Sequence, residues 1–398
     1  MSPLSLVTDH PRPHDWAAAA LRLRDHLRAD AVARERAAAS PRGELEVLRA
    51  AGLLALLNPA AHGGGGGSFA DAYAVVRIIA QADTSIAQLL SYHYLHLTNA
   101  LWRADAAQAE RLSRASVAGR WFWGGASNPR DPESRLTRDG DDFRLDGRKT
   151  FASNAALADR ITLRAQLDDG FAVLVVPGDR AGVTHGNDWD AFGQKLTESG
   201  TITFDTVWVG RDEILGGASA SAPPPPRTTL VVPLHQLLIT SFYLGTAEGA
   251  LAEANAYIRN TSRPWQNSGV PEARLDPYIL EHYGDLDVAL RASLALADVA
   301  RDAFEAAAAQ GNALTPEERN RAAAAIYAAK VHASRTALDI TSRIFELMGA
   351  RATANAYGFD RFWRNIRTHT LHDPVVYKAR EVGNYALNGT ITAIPLYS

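Results

Sequence analysis

Apolar and polar residues follow three successive patterns along this chain. Over residues 16–103 the apolar side chains recur at helical spacing, and they do so again from residue 231 to the C-terminal region. Between residues 121 and 209 the spacing shortens to alternation and brief β-branched runs bounded by Gly, Asp and Pro. The pattern predicts helices over 16–36, 44–57, 69–82 and 85–103, then over 236–260, 276–310, 316–349, 361–370 and 375–387. Thr315-Pro316-Glu-Glu318 carries a helix start: a Thr cap, Pro at the first helical position and acidic residues in the first turn. Strands are expected at 143–145, 161–167, 171–176 and 201–209, with Asp139-Gly140, Asp146-Gly147 and Asp169-Gly170 as hairpin turns. The run His62–Ser68 holds five glycines and is expected to be a flexible turn. No strand precedes it, Ser68 stands where a dinucleotide fingerprint needs Gly, and no Gly-Lys-Ser/Thr follows.

The fold class expected is therefore mostly α with a central β domain. Residues 1–119 form an N-terminal helical domain, 120–217 the β domain and 218–398 a C-terminal helical bundle. Residues 218–227, with a run of four prolines, are a stiff linker.

Composition removes several kinds of chemistry. With no cysteine in 398 residues, thiolate nucleophiles, disulfides, iron–sulfur clusters and cysteine zinc sites are excluded. A net charge of −3 gives no sign of nucleic-acid binding or of an anionic membrane surface. No apolar run approaches the ~18 residues of a membrane span. Residues 1–16 lack the apolar core of a secretory signal. A soluble cytoplasmic protein is expected.

Candidate chemistry is densest at 359–377, where three arginines, His369, His372 and Asp373 precede Pro374. Pro374 disfavours helix at Asp373, so a helix through Arg367 should loosen over 369–373. His93 and His96 form a second pair three residues apart. Carboxylate-bridged metal bundles use Glu-x-x-His pairs, and none occurs here, so no metal is expected.

Several segments, in order, resemble the acyl-CoA dehydrogenase superfamily. They are Pro59-Ala-Ala-His-Gly-Gly64, Gly125-Ala-Ser-Asn-Pro129, the stretch from Gly147 to Asp159, Phe192 to Gly200, and Gly245 to Leu251. The resemblance covers nearly the whole chain and implies an N-terminal helical domain, a middle β-barrel and a C-terminal four-helix bundle. One departure stands out. Counting from Arg364-Asn365, the dehydrogenases' catalytic Glu, which is followed by Gly-Thr, falls on Asp373, which is followed by Pro374-Val375. The segments 357–363, 263–265 and 364–374 are instead similar to the family's flavin-dependent monooxygenase branch, typified by dibenzothiophene monooxygenase.

That branch implies reduced FMN from a separate flavin reductase, O2, a C4a-hydroperoxyflavin and a small apolar substrate, aromatic or containing sulfur or nitrogen. The usual assembly is a homotetramer. By the same resemblance Trp123 and Phe151 wall the flavin, Ser127, Asn128 and Ser153 bond its edge with Ser153 near N5, and Arg263 with Arg259 clamps its phosphate. His369 belongs to the cofactor side. His93 and His372 serve the substrate with Ser153 as the catalytic set, and Asp373 is able to orient a histidine. The alternatives are an FAD-dependent dehydrogenase or nitroalkane-oxidising enzyme with Asp373 as base, and a non-catalytic flavin-fold binding module.

Overall fold

The computed structural model describes residues 15–217 and 224–391, so most of the proposed linker lies outside the described residues. Six helices open the chain: α1 (Trp16–Arg28), α2 (Ala31–Ala37), α3 (Arg42–Ala50), α4 (Phe69–Ala80), α5 (Thr84–Arg103) and α6 (Ala106–Gly119). The single helix expected over 16–36 is broken at Ala29–Asp30, and α6 was not expected at all. Asp105 starts α6 by accepting the Gln108 amide, and left-handed Arg120 ends it.

The glycine run is not flexible. Its amides at Gly64, Gly65, Gly66 and Gly67 bond the carbonyls of Pro59, Ala55, Asn58 and Leu56. A Cβ on Gly65 would lie 2.5 Å from the Trp16 ring, so the glycines allow the turn to lie directly on α1. Ser68 then caps α4 in a reciprocal box with Asp71.

Seven strands follow: β1 (Trp123–Ala126), β2 (Ser134–Asp139), β3 (Asp142–Lys149), β4 (Arg160–Leu167), β5 (Gly170–Pro177), β6 (Val183–His185) and β7 (Ile202–Val209). They form one mixed sheet in the order β1-β4-β2-β3-β7-β6, with β5 also on β4. β1 and β2 run parallel to β4 and share one of its edges end to end. Asp139-Gly140 and Asp169-Gly170 are hairpin turns as expected, but Asp146-Gly147 lies inside β3, opposite a bulge in β7. β7 carries the extra residue there, with Thr206 in left-handed backbone (φ 52°) and its amide donating to Asp146 Oδ1 at 2.8 Å.

The C-terminal bundle is α7 (Val231–Asn260), α8 (Pro277–Ala308), α9 (Pro316–Met348) and α11 (Val375–Asn388), with α9 packed on the other three. The short α10 (Asp360–His369) packs on α5, α7 and α9. With the turn before it, α7 has the length and composition of a membrane span, contrary to the sequence expectation. Yet 83% of that window is buried within the fold, as in a core helix.

Two seams fix the β domain to the helices. Asn154 Nδ2 donates to the Leu89 carbonyl on α5 at 2.8 Å. The Gln194 amide donates to Asn365 Oδ1 on α10 at 2.6 Å, and Gly193 sits so close that a Cβ would lie 2.1 Å from the Arg364 carbonyl.

The crossing of α4 and α7 is equally close: a Cβ on Gly245 would be 2.1 Å from the Arg77 carbonyl. Gly245→Ala is expected to destabilise the protein by about 1–3 kcal/mol through overpacking, although alanine is the better helix former. Urea unfolding midpoints measure this, and an unchanged or raised midpoint would contradict the packing.

Candidate active site

α10 is held at its start by ion pairs. Arg361 binds Glu253 on α7, and Arg364 binds Glu35 on α2 at 2.8 Å and the Phe192 carbonyl at 2.6 Å. With its first turns so anchored, the helix delivers His369 at its last position. The chain then turns tightly, the His372 amide donating to the His369 carbonyl, and Pro374 starts α11. The loosening expected at 369–373 is this turn.

His369 is buried with both ring nitrogens bonded: Nδ1 lies 2.8 Å from the Tyr243 hydroxyl and Nε2 3.0 Å from the Tyr92 hydroxyl. Burial holds it well below the ordinary imidazole range, and the charges of His372 and Lys330 add to this. His372 stacks on it at 5.4 Å and keeps an exposed edge. His235 on α7 meets the ring of Tyr92 at 4.9 Å and that of His372 at 5.3 Å, edge to face. Its burial, with His372 nearby, also keeps it neutral. On α5, one turn beyond Tyr92, His96 Nδ1 lies 2.7 Å from Thr162 Oγ1, and burial pushes its pKa down to about 3. Three neutral imidazoles and two tyrosines thus surround the turn, able to donate or accept hydrogen bonds without adding charge.

Asp373 faces the other way. Gln236 Nε2 on α7 donates to its Oδ2 at 3.1 Å, Lys378 Nζ on α11 lies 3.6 Å from the same oxygen, and Lys330 Nζ on α9 lies 4.0 Å from Oδ1. Lys330, with only 1% of its side chain exposed, also lies over the Tyr243 ring at 4.4 Å. Burial alone would raise the Asp373 carboxyl. The nearby His372 imidazole, its Nδ1 3.8 Å from Oδ1, and the charges of Lys330 and Lys378 outweigh it and hold the group far below the carboxylate range. Burial in turn brings Lys330 down to about 8, against the pull of Asp373.

Several expected site residues lie elsewhere. His93 is not on the substrate side. It is fully buried and stacked on Phe122, with Nε2 on the Leu54 carbonyl at 2.8 Å and Nδ1 accepting the Trp123 amide at 3.1 Å, so neither nitrogen is left for catalysis. Trp123 is no flavin wall either, since its indole is buried and donates to Ser116 on α6. The Asn128 side chain is bonded to Thr150, just after β3, and to the Arg130 amide in its own loop.

The other positions fit a flavin. Phe151 is 67% exposed in left-handed backbone (φ 53°), a flat apolar face edged by Trp189. Beside it Ser153 Oγ lies 2.6 Å from Ser199 Oγ, and Ser127 is exposed at the end of β1. Arg259 and Arg263, at the end of α7 and just after it, are exposed and make no hydrogen bond or ion pair with any described residue. Both are open to a phosphate, though not joined to the histidine cluster. Among the described residues no group of three His, Asp or Glu side chains is arranged to hold a metal ion.

Tyr92, His235 and Lys330 were not expected at the site, and His96 only as half of a pair with His93. His96 carried a signal: with Tyr92 it makes an i, i+4 pair, and Gly125 in β1 makes room for it, since a Cβ there would lie 1.9 Å from the ring.

Three domain families match the chain in order: acyl-CoA dehydrogenase N-terminal domain over 17–120, middle domain over 124–207 and C-terminal domain over 237–376. A dibenzothiophene monooxygenase of Rhodococcus erythropolis is 38% identical over 97% of both chains. The solved structure of methanesulfinate monooxygenase MsuC from Pseudomonas fluorescens is 37% identical, covering 96% of this chain and 99% of its own, with a TM-score of 0.92. TdsC from Paenibacillus sp. A11-2, solved with FMN and indole, is also 37% identical with a TM-score of 0.92, covering 97% of this chain and 100% of its own.

The Asp373 cluster makes a stability prediction. Asp373→Asn should destabilise by about 3–5 kcal/mol at neutral pH, because it leaves buried cations without their counter-charge. Adding Lys330→Met should recover part of the loss. The folded-state pKa of Asp373 lies below its ordinary 3.8, so its stabilisation is present above that pH and is lost as pH falls through the folded value. The gap between wild type and Asp373→Asn should therefore narrow in acid. Denaturant melts at several pH values test this, and a double variant no more stable than the single one would contradict it.

Proposed function

This chain belongs to the acyl-CoA dehydrogenase family, and we propose that within it the protein is a two-component flavin-dependent monooxygenase. It would take reduced FMN from a separate reductase and O2, and oxygenate a small molecule at a sulfur, a nitrogen or an electron-rich ring. One observation carries this reading. The residue in the place of the dehydrogenase base is a carboxylate neutralised by Lys330 and Lys378, and the residue before it is a partly exposed histidine. A general base works best with a pKa near the working pH. Asp373 is held far below that, so it is a poor acceptor for a substrate proton and a good anchor for His372. The similarity to enzymes named as monooxygenases, one solved with FMN, points the same way.

Reduced FMN, when bound, supplies the two electrons that split O2 between product and water. The chain's own residues prepare its surroundings. Phe151 would cover a ring face, Ser153 and the Ser127–Asn128 backbone would bond the ring edge, and Arg263 with Arg259 would hold the phosphate. His372, stacked on His369, holds or delivers a proton at the reacting oxygen. The neutral imidazoles of His96, His235 and His369 line this space without drawing in bulk water, which protects a reactive flavin from wasteful decay.

The protein would work in the cytoplasm as a homotetramer. The exposed Tyr278, Val288 and Val299 on α8 support a face covered by other copies. The relatives differ in the charge of what their names say they act on: dibenzothiophene is neutral and methanesulfinate is an anion.

Purified protein with reduced FMN, O2 and a panel of thioethers and heteroaromatics should give oxygenated product, whereas an acyl-CoA with an electron-transfer dye should give none. His372→Phe should keep its FMN affinity and lose at least about a hundredfold in oxygenation, the electrons escaping as hydrogen peroxide. Unaffected turnover in this variant would remove His372 from the mechanism.

A further inference from the structure

Tyr92, His96, Asn99 and Arg103 stand at i, i+4, i+7 and i+11 of α5 and so share one face. The first touches His369, at the histidine cluster. The last opens onto a cavity of about 80 Å³ lined chiefly by Asn99, Arg103, Ser127, Lys149, Arg164 and Glu133. Three cations face one carboxylate there, an excess of two positive charges. Glu133 is already shared, paired with Arg164 and 3.6 Å from Lys149 Nζ. Lys149 is 2% exposed and donates to the Asn128 carbonyl at 3.2 Å. Arg103 has no carboxylate partner among the described residues. Its Nε donates to Asn99 Oδ1 at 2.8 Å, and its two terminal nitrogens have no acceptor among the described residues. Burial and the nearby Arg164 charge lower its pKa, as expected of a guanidinium lacking a counter-ion.

We propose that this cavity receives the acidic group of the substrate, with Arg103 as its main partner, so that the enzyme's substrate is an organic anion. This rests on the monooxygenase reading and supplies its substrate class. A planar guanidinium whose two terminal nitrogens form a free N–H edge matches a carboxylate or sulfonate bidentately. The seven residues from His96 to Arg103 rise about 10 Å. The acid group is therefore held an aryl ring's length from the imidazole end, where the oxidisable heteroatom lies. For a thioether acid, one atom of O2 bonds to sulfur to give the sulfoxide. The other leaves as water with two protons and the two electrons of reduced FMN.

The test pairs 4-(methylthio)benzoate with its neutral amide, using the intact enzyme, reduced FMN and O2. Wild type should favour the acid by about tenfold or more in kcat/KM, the scale of a charge-assisted hydrogen bond. In Arg103→Met that preference should collapse toward one through a raised KM for the acid, and Arg103→Lys should restore part of it. The dissociation constant of FMN should not change in either variant, which also shows that both are folded. No acid preference in wild type overturns the inference. So does a loss of FMN affinity in Arg103→Met, which would assign the cavity to the cofactor's phosphate. If a neutral heterocycle is oxygenated and neither benzoate nor amide is, the inference falls and the monooxygenase reading stands. If nothing is oxygenated, the monooxygenase reading falls with it.

Discussion

A carboxylate with 9% of its surface exposed stays ionised inside a protein only if something holds its charge, and for Asp373 that is Lys330 and Lys378. The three groups come from separate pieces of chain: the turn after α10, the middle of α9 and the first turn of α11. Gln236 adds α7. One ionic centre therefore ties the bundle helices to the turn that carries His369 and His372. Such a centre contributes little net stability against an apolar replacement. What it fixes is geometry, since removing any one charge strands the others in a region of low dielectric.

The same centre sets the chemistry of its neighbours. Burial above all, with the charge of His372 and then that of Lys330 over the Tyr243 ring, keeps the His369 imidazole neutral between two tyrosine hydroxyls. His235 is neutral for the same reason. A site built to pull a proton from carbon needs a free carboxylate. Here the carboxylate is spent on two lysines, and the remaining groups suit a hydrogen-bonded, water-poor pocket. Dehydrogenase and oxygenase can thus share a scaffold and part at this turn.

Much of this could be read from the chain. The helix–sheet–helix order followed from periodicity, and the break at Pro374 from the geometry of the residue before proline. The rest depended on long-range partners. His93 and His96 looked equivalent, three apart on one helix, and only the folded structure shows that His93 is used up by the Leu54 carbonyl and the Trp123 amide while His96 faces the sheet. Gln236 and Asp373 are 137 positions apart, and no local pattern announces their contact. The glycine run read as slack because glycine's freedom is visible in sequence, whereas the ring of Trp16 against Gly65 is not. Asp146-Gly147 carries hairpin chemistry but continues β3, with Asp146 accepting the Thr206 amide at a bulge in β7 that no local pattern announces.

A family scaffold with its base neutralised should transfer oxygen to its substrate and take no hydride from it. Isotope labelling tests this most directly. The protein would be given chemically reduced FMN, indole or dibenzothiophene beside an aryl thioether acid, and 18O2, with the products weighed by mass spectrometry. At least one of them should gain a single 18O atom, and none should be incorporated from labelled water. Products without 18O, with all electrons recovered as hydrogen peroxide, would contradict it.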